Sequence, residues 1–134
     1  MAYVVANKDP NSGPDVLADL SRGWPFKDEV FDMVVSTWAI EHLISPDQFF
    51  REAWRVLAEC GSVLVAVPFL HRIHGSPQDY WRFTEVALDQ LAQAAGFRHT
   101  VVTPVGGTPF LAVTGLLWPL LRPRAVAIGL TILI

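Results

Sequence analysis

Between Pro68 and Thr84 the sequence reads PFLHRIHGSPQDYWRFT, which gathers His71, His74, Asp79, Tyr80 and Arg82 in one polar stretch. Imidazole and carboxylate together suit zinc or iron, so His71-x-x-His74 with Asp79 can be read as a metal site. Against that reading, no recognisable helix carries the histidines, Gly75-Ser76-Pro77 breaks the spacing, and one acid is thin. The expectation is therefore no metal, with substrate binding or loop ordering as the role. Tyr80, Trp81 and Phe83 are expected to pack the loop on the sheet, and Arg82 to pair with Asp79 or recognise an anionic group. Upstream lies Glu41-His42. A histidine titrates near neutrality and could take a proton from a hydroxyl or amine, although a lone histidine is more often a structural hydrogen bonder. Arg51, Glu52 and Arg55 read as a solvated helix face, with Glu52 and Arg55 paired at i,i+3. Cys60 reads as an inert small apolar residue at a helix end.

The elements that must position these groups follow from pattern. Tyr3 to Ala6 is a short apolar run, followed by turn chemistry from Asn7 to Pro14. Val16-Leu17-Ala18 is a second run, ended by Asp19. Phe31 to Ile40 (FDMVVSTWAI) is nearly continuous in apolar residues, as a strand covered on both faces would be. Ser45-Pro46-Asp47-Gln48 has three helix-start signals, a capping serine, a proline at the first position and a glutamine to complete a capping box. Phe49, Phe50, Ala53, Trp54 and Leu57 then recur at helical spacing, and Gly61 suits the left-handed position that ends such a helix. Ser62 to Phe69 reads as a strand. Thr84 caps a second helix, with Glu85 at its positive end and Gly96 stopping it. Phe97 to Val105 reads as a last strand. Apolar strands alternating with amphipathic helices imply an α/β fold with a mainly parallel sheet. Ligands bind such sheets beyond the carboxyl ends of the strands. That rule picks out Asn7–Asp9, Asp19–Leu20, Ser36–His42 and Phe69–Thr84.

Composition bounds the rest. A chain of 134 residues with 51% apolar and 17% charged residues suits one domain with a real core and is not disordered. All thirteen acids lie at or before Asp89, and beyond residue 98 the only charges are Arg122 and Arg124. A net charge of -3 argues against a general nucleic-acid binder. A single cysteine fits a reducing compartment, and Met1 to Asp9 has no secretory pattern, so the expected location is cytoplasmic. The division expected is 1–108 as the domain and 109–134 as an apolar C-terminal tail. Neither apolar run of the tail reaches the roughly 18 residues of a membrane span. The tail is expected to pack on the domain or on a partner chain, which keeps a homodimer open, with membrane contact second.

Five stretches in order carry a family resemblance. WPFKDEVFDMVVSTWAIEHL, REAWRVL and GSVLVAVPF look like class I S-adenosylmethionine-dependent methyltransferases, the type 11 group above all. PFLHRIHGSPQDYWRFTEVAL followed by AGF resembles a subgroup with an H-x-x-H…P-x-D-Y-x-R-F-T loop. The resemblance runs from about Tyr3 to Gly107. It implies a Rossmann-like sheet with flanking helices, S-adenosylmethionine as cofactor and a small-molecule methyl acceptor.

Residue by residue, the resemblance implies that Asp19 accepts from the adenine amino group and that the Leu20 amide meets the ring, against a plain turn acid. It puts Asn7 and Asp9 at the ribose hydroxyls, against an Asx turn before Pro10. It lays Ser36, Thr37 and Trp38 along the methionine portion, with core packing as the other role for Trp38. It turns Glu41 and His42 to the substrate end, as the catalytic candidates. His71, His74, Asp79, Tyr80 and Arg82 would contact substrate.

Two departures stand out. The family's first strand and glycine-rich cofactor loop have no counterpart, and the acid expected at the ribose falls on Asn7. The chain therefore reads as a truncated domain, weak or inactive alone. The alternative is a non-catalytic methyltransferase-like protein, an intertwined dimer or membrane-associated through its tail. Loss of a central strand would leave two strands without a shared neighbour, and open edges of that kind are costly.

Overall fold

The computed structural model describes residues 2–75 and 78–105. The tail 109–134, Gly106-Gly107 and the Ser76-Pro77 step of the polar loop lie outside the described residues, so the expectations placed on them are not addressed. Among the described residues the element order is β1 (Ala6–Asn7), β2 (Val16–Leu17), β3 (Phe31–Thr37), α1 (Pro46–Val56), β4 (Leu57–Ala66) and α2 (Glu85–Ala95). All strand pairing is parallel, as expected, but it falls into two pieces, β1 with β2 and β3 with β4.

The first piece has two residues in each strand, and a turn at Pro10–Ser12 lies in the connection between them. Asp9 accepts from the Asn11 amide at 2.9 Å, and Gly13 takes the left-handed conformation at φ 67°. Asp15 Oδ2 accepts from the Val5 amide at 2.8 Å and closes the pair. The second piece is a βαβ unit, in register from Met33 opposite Ser62 to Thr37 opposite Ala66.

α1 begins at Pro46 as predicted, but Ser45 makes no side-chain cap. The helix ends at Val56 and β4 follows without a loop, so Gly61 does not cap it. The left-handed residue is Cys60, at φ 66°. A Cβ on Gly61 would stand 2.9 Å from the Ala58 carbonyl oxygen, so close approach is what requires glycine there. Register is broken between Phe31 and Met33, where the extra residues of β4 bulge out.

Phe49, Phe50, Ala53 and Val56 of α1 bury against Trp24, Ile40, Leu43, Phe83 and Ala92. Thr84 Oγ1 accepts from the Ala87 amide at 3.2 Å, the predicted cap of α2. Gly96 stops α2 at φ 118°, and a Cβ there would meet the Trp54 ring at 2.9 Å. β3 was expected to be covered on both faces. Val34 packs on the core while Met33 and Val35 are about half exposed, because both helices described lie against one face. Phe97 to Val105 is not a strand among the described residues, none of which pairs with it, and Phe97 packs edge-on against Trp54 at 5.0 Å between ring centres.

Glu52 and Arg55 are not a solvated face. Glu52 is 9% exposed and accepts from the Trp24 amide at 2.7 Å. Arg55 grips Glu52 at 2.7 Å and donates to the carbonyls of Trp24 and Phe26, tying the segment before β3 to α1. The expected i,i+3 pair of Glu52 with Arg55 does form, and Arg51 lies on the surface as expected, paired with Asp47 at 2.7 Å. No helix among the described residues is long and apolar enough to cross a membrane.

Candidate functional site

The two sheet pieces leave a cavity of about 520 Å³ between them, within the usual range for a small-molecule site. The chain ends of β1, β2 and β3 bring Asn7, Asp19, Leu20, Ser36, Thr37, Trp38 and His42 to its wall, and Trp24, Phe26 and Phe49 supply an apolar side. Six of the seven expected cofactor positions therefore meet at one hollow. Asp9 does not join them; its carboxylate is spent on the Asn11 backbone and side-chain amides.

The groups that do line the cavity differ in how free they are. Asn7 Oδ1 accepts from the Asp9 amide at 3.0 Å, the Asx turn that was the alternative reading. Its amide nitrogen has no hydrogen bond of that kind. Asp19 Oδ1 accepts from the Ser21 amide and hydroxyl, and these bonds, the hydroxyl first, hold its carboxyl below the usual value. Oδ2 stands 3.6 Å from the Arg22 guanidinium, which is mostly exposed. So Asp19 both caps a turn and faces the cavity. Ser36 Oγ is buried with no partner. Trp38 leaves β3 in the left-handed region at φ 53°, a strained conformation for a bulky residue. Its ring lies edge-on to His71 and His74, with centres 5.1 and 6.0 Å away, so it is not a core residue.

The polar loop after β4 folds back on the turn Ile40–His42 that follows β3. Arg82 organises it. Its two Nη groups fork onto both oxygens of Asp79, and Nη2 also donates to the carbonyls of His71 and Arg72 at 3.2 Å each. That grip holds the Asp79 carboxyl far below the usual carboxylate range and raises the Arg82 guanidinium. Of the two roles expected for Arg82, pairing is the one observed. Asp79 also accepts from the His74 amide at 3.0 Å. Tyr80 donates its amide to the Glu41 carbonyl at 2.9 Å, and the Trp81 indole donates to the Leu43 carbonyl at 2.8 Å. Phe83 is buried in the core as expected, while Tyr80 and Trp81 stay half exposed.

This stitching brings together residues that are distant in the chain. The Glu41 side chain is fully buried, and Oε1 lies 3.8 Å from Nε2 of His42 and 3.8 Å from Nε2 of His74. Neither Glu41 oxygen has a hydrogen-bond partner, and neither does His74 Nε2. His42 contributes to the cavity wall, so the cluster adjoins the cavity. Sequence reasoning placed His42 and His74 in separate roles. The Asp79–Arg82 pair was expected, but not its consequence, a loop folded back so that His74 meets Glu41.

Comparison with known proteins follows the same lines. Residues 1–65 match the family model for a methyltransferase domain. No curated protein sequence matches the chain. A solved structure from Bacillus halodurans C-125, described as a "putative methyltransferase", superposes with a TM-score of 0.53 at 21% identity, over 66% of this chain and 45% of that one. A Thermotoga maritima structure, described as a SAM-dependent methyltransferase and "possible histamine N-methyltransferase", gives a TM-score of 0.55 at 23% identity, over 67% and 49%. The chain thus spans less than half the length of either structure. The Rossmann-like α/β fold expected from the sequence is the fold they share.

The residues present fit S-adenosylmethionine in part. A buried, unpartnered Ser36 hydroxyl and the Asn7 amide offer polar contacts, and Leu20, Trp24 and Trp38 offer apolar walls around a hollow of suitable size.

Proposed function

We propose that this chain, a class I methyltransferase-type domain by the match of residues 1–65 and by its fold, binds S-adenosylmethionine between its two sheet pieces and serves methyl transfer to a small-molecule acceptor. The observation that carries this is the convergence of Asn7, Asp19, Leu20, Ser36, Thr37 and Trp38 on one cavity at the strands' carboxyl ends. The cofactor supplies a methyl group on a sulfonium sulfur, displaced by an acceptor's lone pair in line.

The chain's own residues divide the work. Asp19 and the Leu20 amide take the adenine end. Asn7 meets the ribose with one acceptor fewer than an acid would have. Ser36, Thr37 and Trp38 hold the methionine portion. His42 and the buried Glu41 behind it stand at the acceptor end, where His71 and His74 pack against Trp38. Tyr80 remains available to touch the acceptor, whereas Asp79 and Arg82 position the loop.

Calorimetric titration with S-adenosylhomocysteine tests the reading. Binding is expected, with quenching of the tryptophan fluorescence that Trp24 and Trp38 contribute from the cavity wall. Asp19→Ala should weaken it by about 1–3 kcal/mol, the scale of an unpaired buried donor. Ser21→Ala, which loosens the same turn but leaves the carboxylate in place, should weaken it much less. No heat and no thermal shift at millimolar ligand would overturn the proposal in favour of a non-catalytic domain.

A further inference from the structure

The geometry points to a divalent transition-metal site formed by Glu41, His42 and His74. One ligand atom from each of the three lies within 4.8 Å of the others. The proton positions follow from the outer contacts. His42 Nδ1 meets the Gln78 carbonyl oxygen, which can only accept, so the proton sits on Nδ1. His74 Nδ1 lies 3.1 Å from Asp79 Oδ2 and 3.3 Å from the Arg72 carbonyl, both acceptors, so its proton also sits on Nδ1. Both Nε2 atoms then carry lone pairs, and both face the Glu41 carboxylate. Three acceptors converge with no hydrogen between them.

A buried carboxylate left in that state is costly unless a cation compensates it. A proton on one imidazole is a poor answer. At 3.8 Å the contact to Glu41 Oε1 is too long for a hydrogen bond, and Oε2 would still lack a partner. A metal ion answers all three at once. Tetrahedral coordination at the bond lengths usual for nitrogen and oxygen on zinc needs ligand atoms roughly 3.4 Å apart; the two contacts to Glu41 stand at 3.8 Å and all three ligand atoms lie within 4.8 Å, so the side chains would close in on the ion.

The surroundings match as well. Metal-binding histidines ordinarily donate their second N–H to a carboxylate or carbonyl. Here Asp79 and the Gln78 carbonyl fill those positions, and Arg82 fixes Asp79 in turn. Two imidazoles and one carboxylate select zinc or a neighbouring first-row ion over magnesium or calcium. Three protein ligands leave an open position, the arrangement of catalytic sites. His42 is also part of the cavity wall, so an ion held there would stand beside the cavity and could lower the pKa of an acceptor hydroxyl. This inference rests on the cluster alone, and it stands whether or not the chain binds S-adenosylmethionine.

The test is calorimetric titration of the chelator-stripped full chain with zinc chloride, with cobalt(II) as the absorbing probe, in the absence of any nucleoside. One equivalent is expected. His74→Ala and Glu41→Gln should each weaken uptake more than about 100-fold, and Asp79→Asn about 10–100-fold with the cobalt spectrum kept. His99→Ala, outside the cluster, should leave stoichiometry and affinity unchanged. If Glu41→Gln fails to fold by circular dichroism, His74→Ala on the loop decides. No uptake by the folded chain, or uptake unaltered by His74→Ala, overturns the site. Failure to bind S-adenosylhomocysteine alongside normal zinc uptake would sink only the methyl-transfer reading.

Discussion

Two buried glutamates on neighbouring elements are treated in opposite ways. Glu52 on α1 accepts from the Trp24 amide and from two nitrogens of Arg55, and Arg55 reaches on to the Phe26 carbonyl. Every polar atom there has a partner, and the result ties a loop to a helix. Glu41, in the turn after β3, has no partner for either oxygen. Among the described residues the buried side-chain atoms without a hydrogen bond are Ser36 Oγ, both Glu41 oxygens and His74 Nε2. All lie at the candidate site, and none lies in the α1 network. Folding does not explain four unmet groups gathered in one place, because native interiors satisfy nearly all such atoms. The ligands proposed above would supply the missing partners.

The contrast breaks most visibly at Glu52. Glu52→Ala leaves the Trp24 amide and part of the Arg55 guanidinium without acceptors, so it should cost about 2–3 kcal/mol by urea denaturation. Acid should act on the same network. Arg55, first, and the Trp24 amide hold the Glu52 carboxyl below its ordinary value of 4.5. Because the folded value is the lower one, this stabilisation is complete above the unfolded value and fades as pH falls through the folded one. Asp79, held low by Arg82, adds to the same loss at still lower pH. The wild-type denaturation midpoint should fall steeply below about pH 4.5, and Glu52→Ala should fall less steeply. Equal slopes would mean that Glu52 is no anchor.

That network also shows what sequence could and could not yield. Glu52 is three residues after Phe49 and four before Val56, inside the apolar stripe of α1, so the spacing already argued against a solvated face. The caps of α2 were plain because they are local, Thr84 and Gly96 acting on their own helix, whereas Ser45 and Gly61 do not cap α1. β3 was plain in extent but not in cover, since cover depends on where the helices pack. For the site, the strand-end rule picked out Asn7, Asp19, Leu20 and Ser36 to Trp38, which line one cavity, and also Asp9 and the described part of Phe69–Thr84, which do not. The meeting of Glu41 with His74 could not be read, because it depends on a loop that Asp79 and Arg82 fold back across a long separation.

A smaller effect of opposite sign is expected at the other glutamate. In the metal-free chain, Glu41→Gln replaces a buried charge by an amide whose N–H groups can donate to the facing imidazoles. Stability should rise by about 1–2 kcal/mol. With saturating zinc the order should reverse, because only the wild type gains binding free energy from the folded state. Thermal unfolding of both chains, with chelator and with zinc, reads the crossing. A destabilised Glu41→Gln in chelator would show that the carboxylate has a structural partner after all, and would remove the difference between the two regions.

The finest distinction is at Ser36. Its hydroxyl is buried in β3 against the cavity, with no partner, so Ser36→Ala removes only an unmet polar group and leaves the strand's packing intact. The unliganded chain should be unchanged or more stable by less than about 1 kcal/mol. Affinity for S-adenosylhomocysteine should fall, since the lost hydroxyl is the cavity's one buried polar side chain free to bond a ligand among the described residues. A structural serine would show the reverse pairing, with stability lost and affinity kept. Measuring both in the same variant separates a group held ready for a ligand from one that the fold needs, on the same strand and without touching either glutamate.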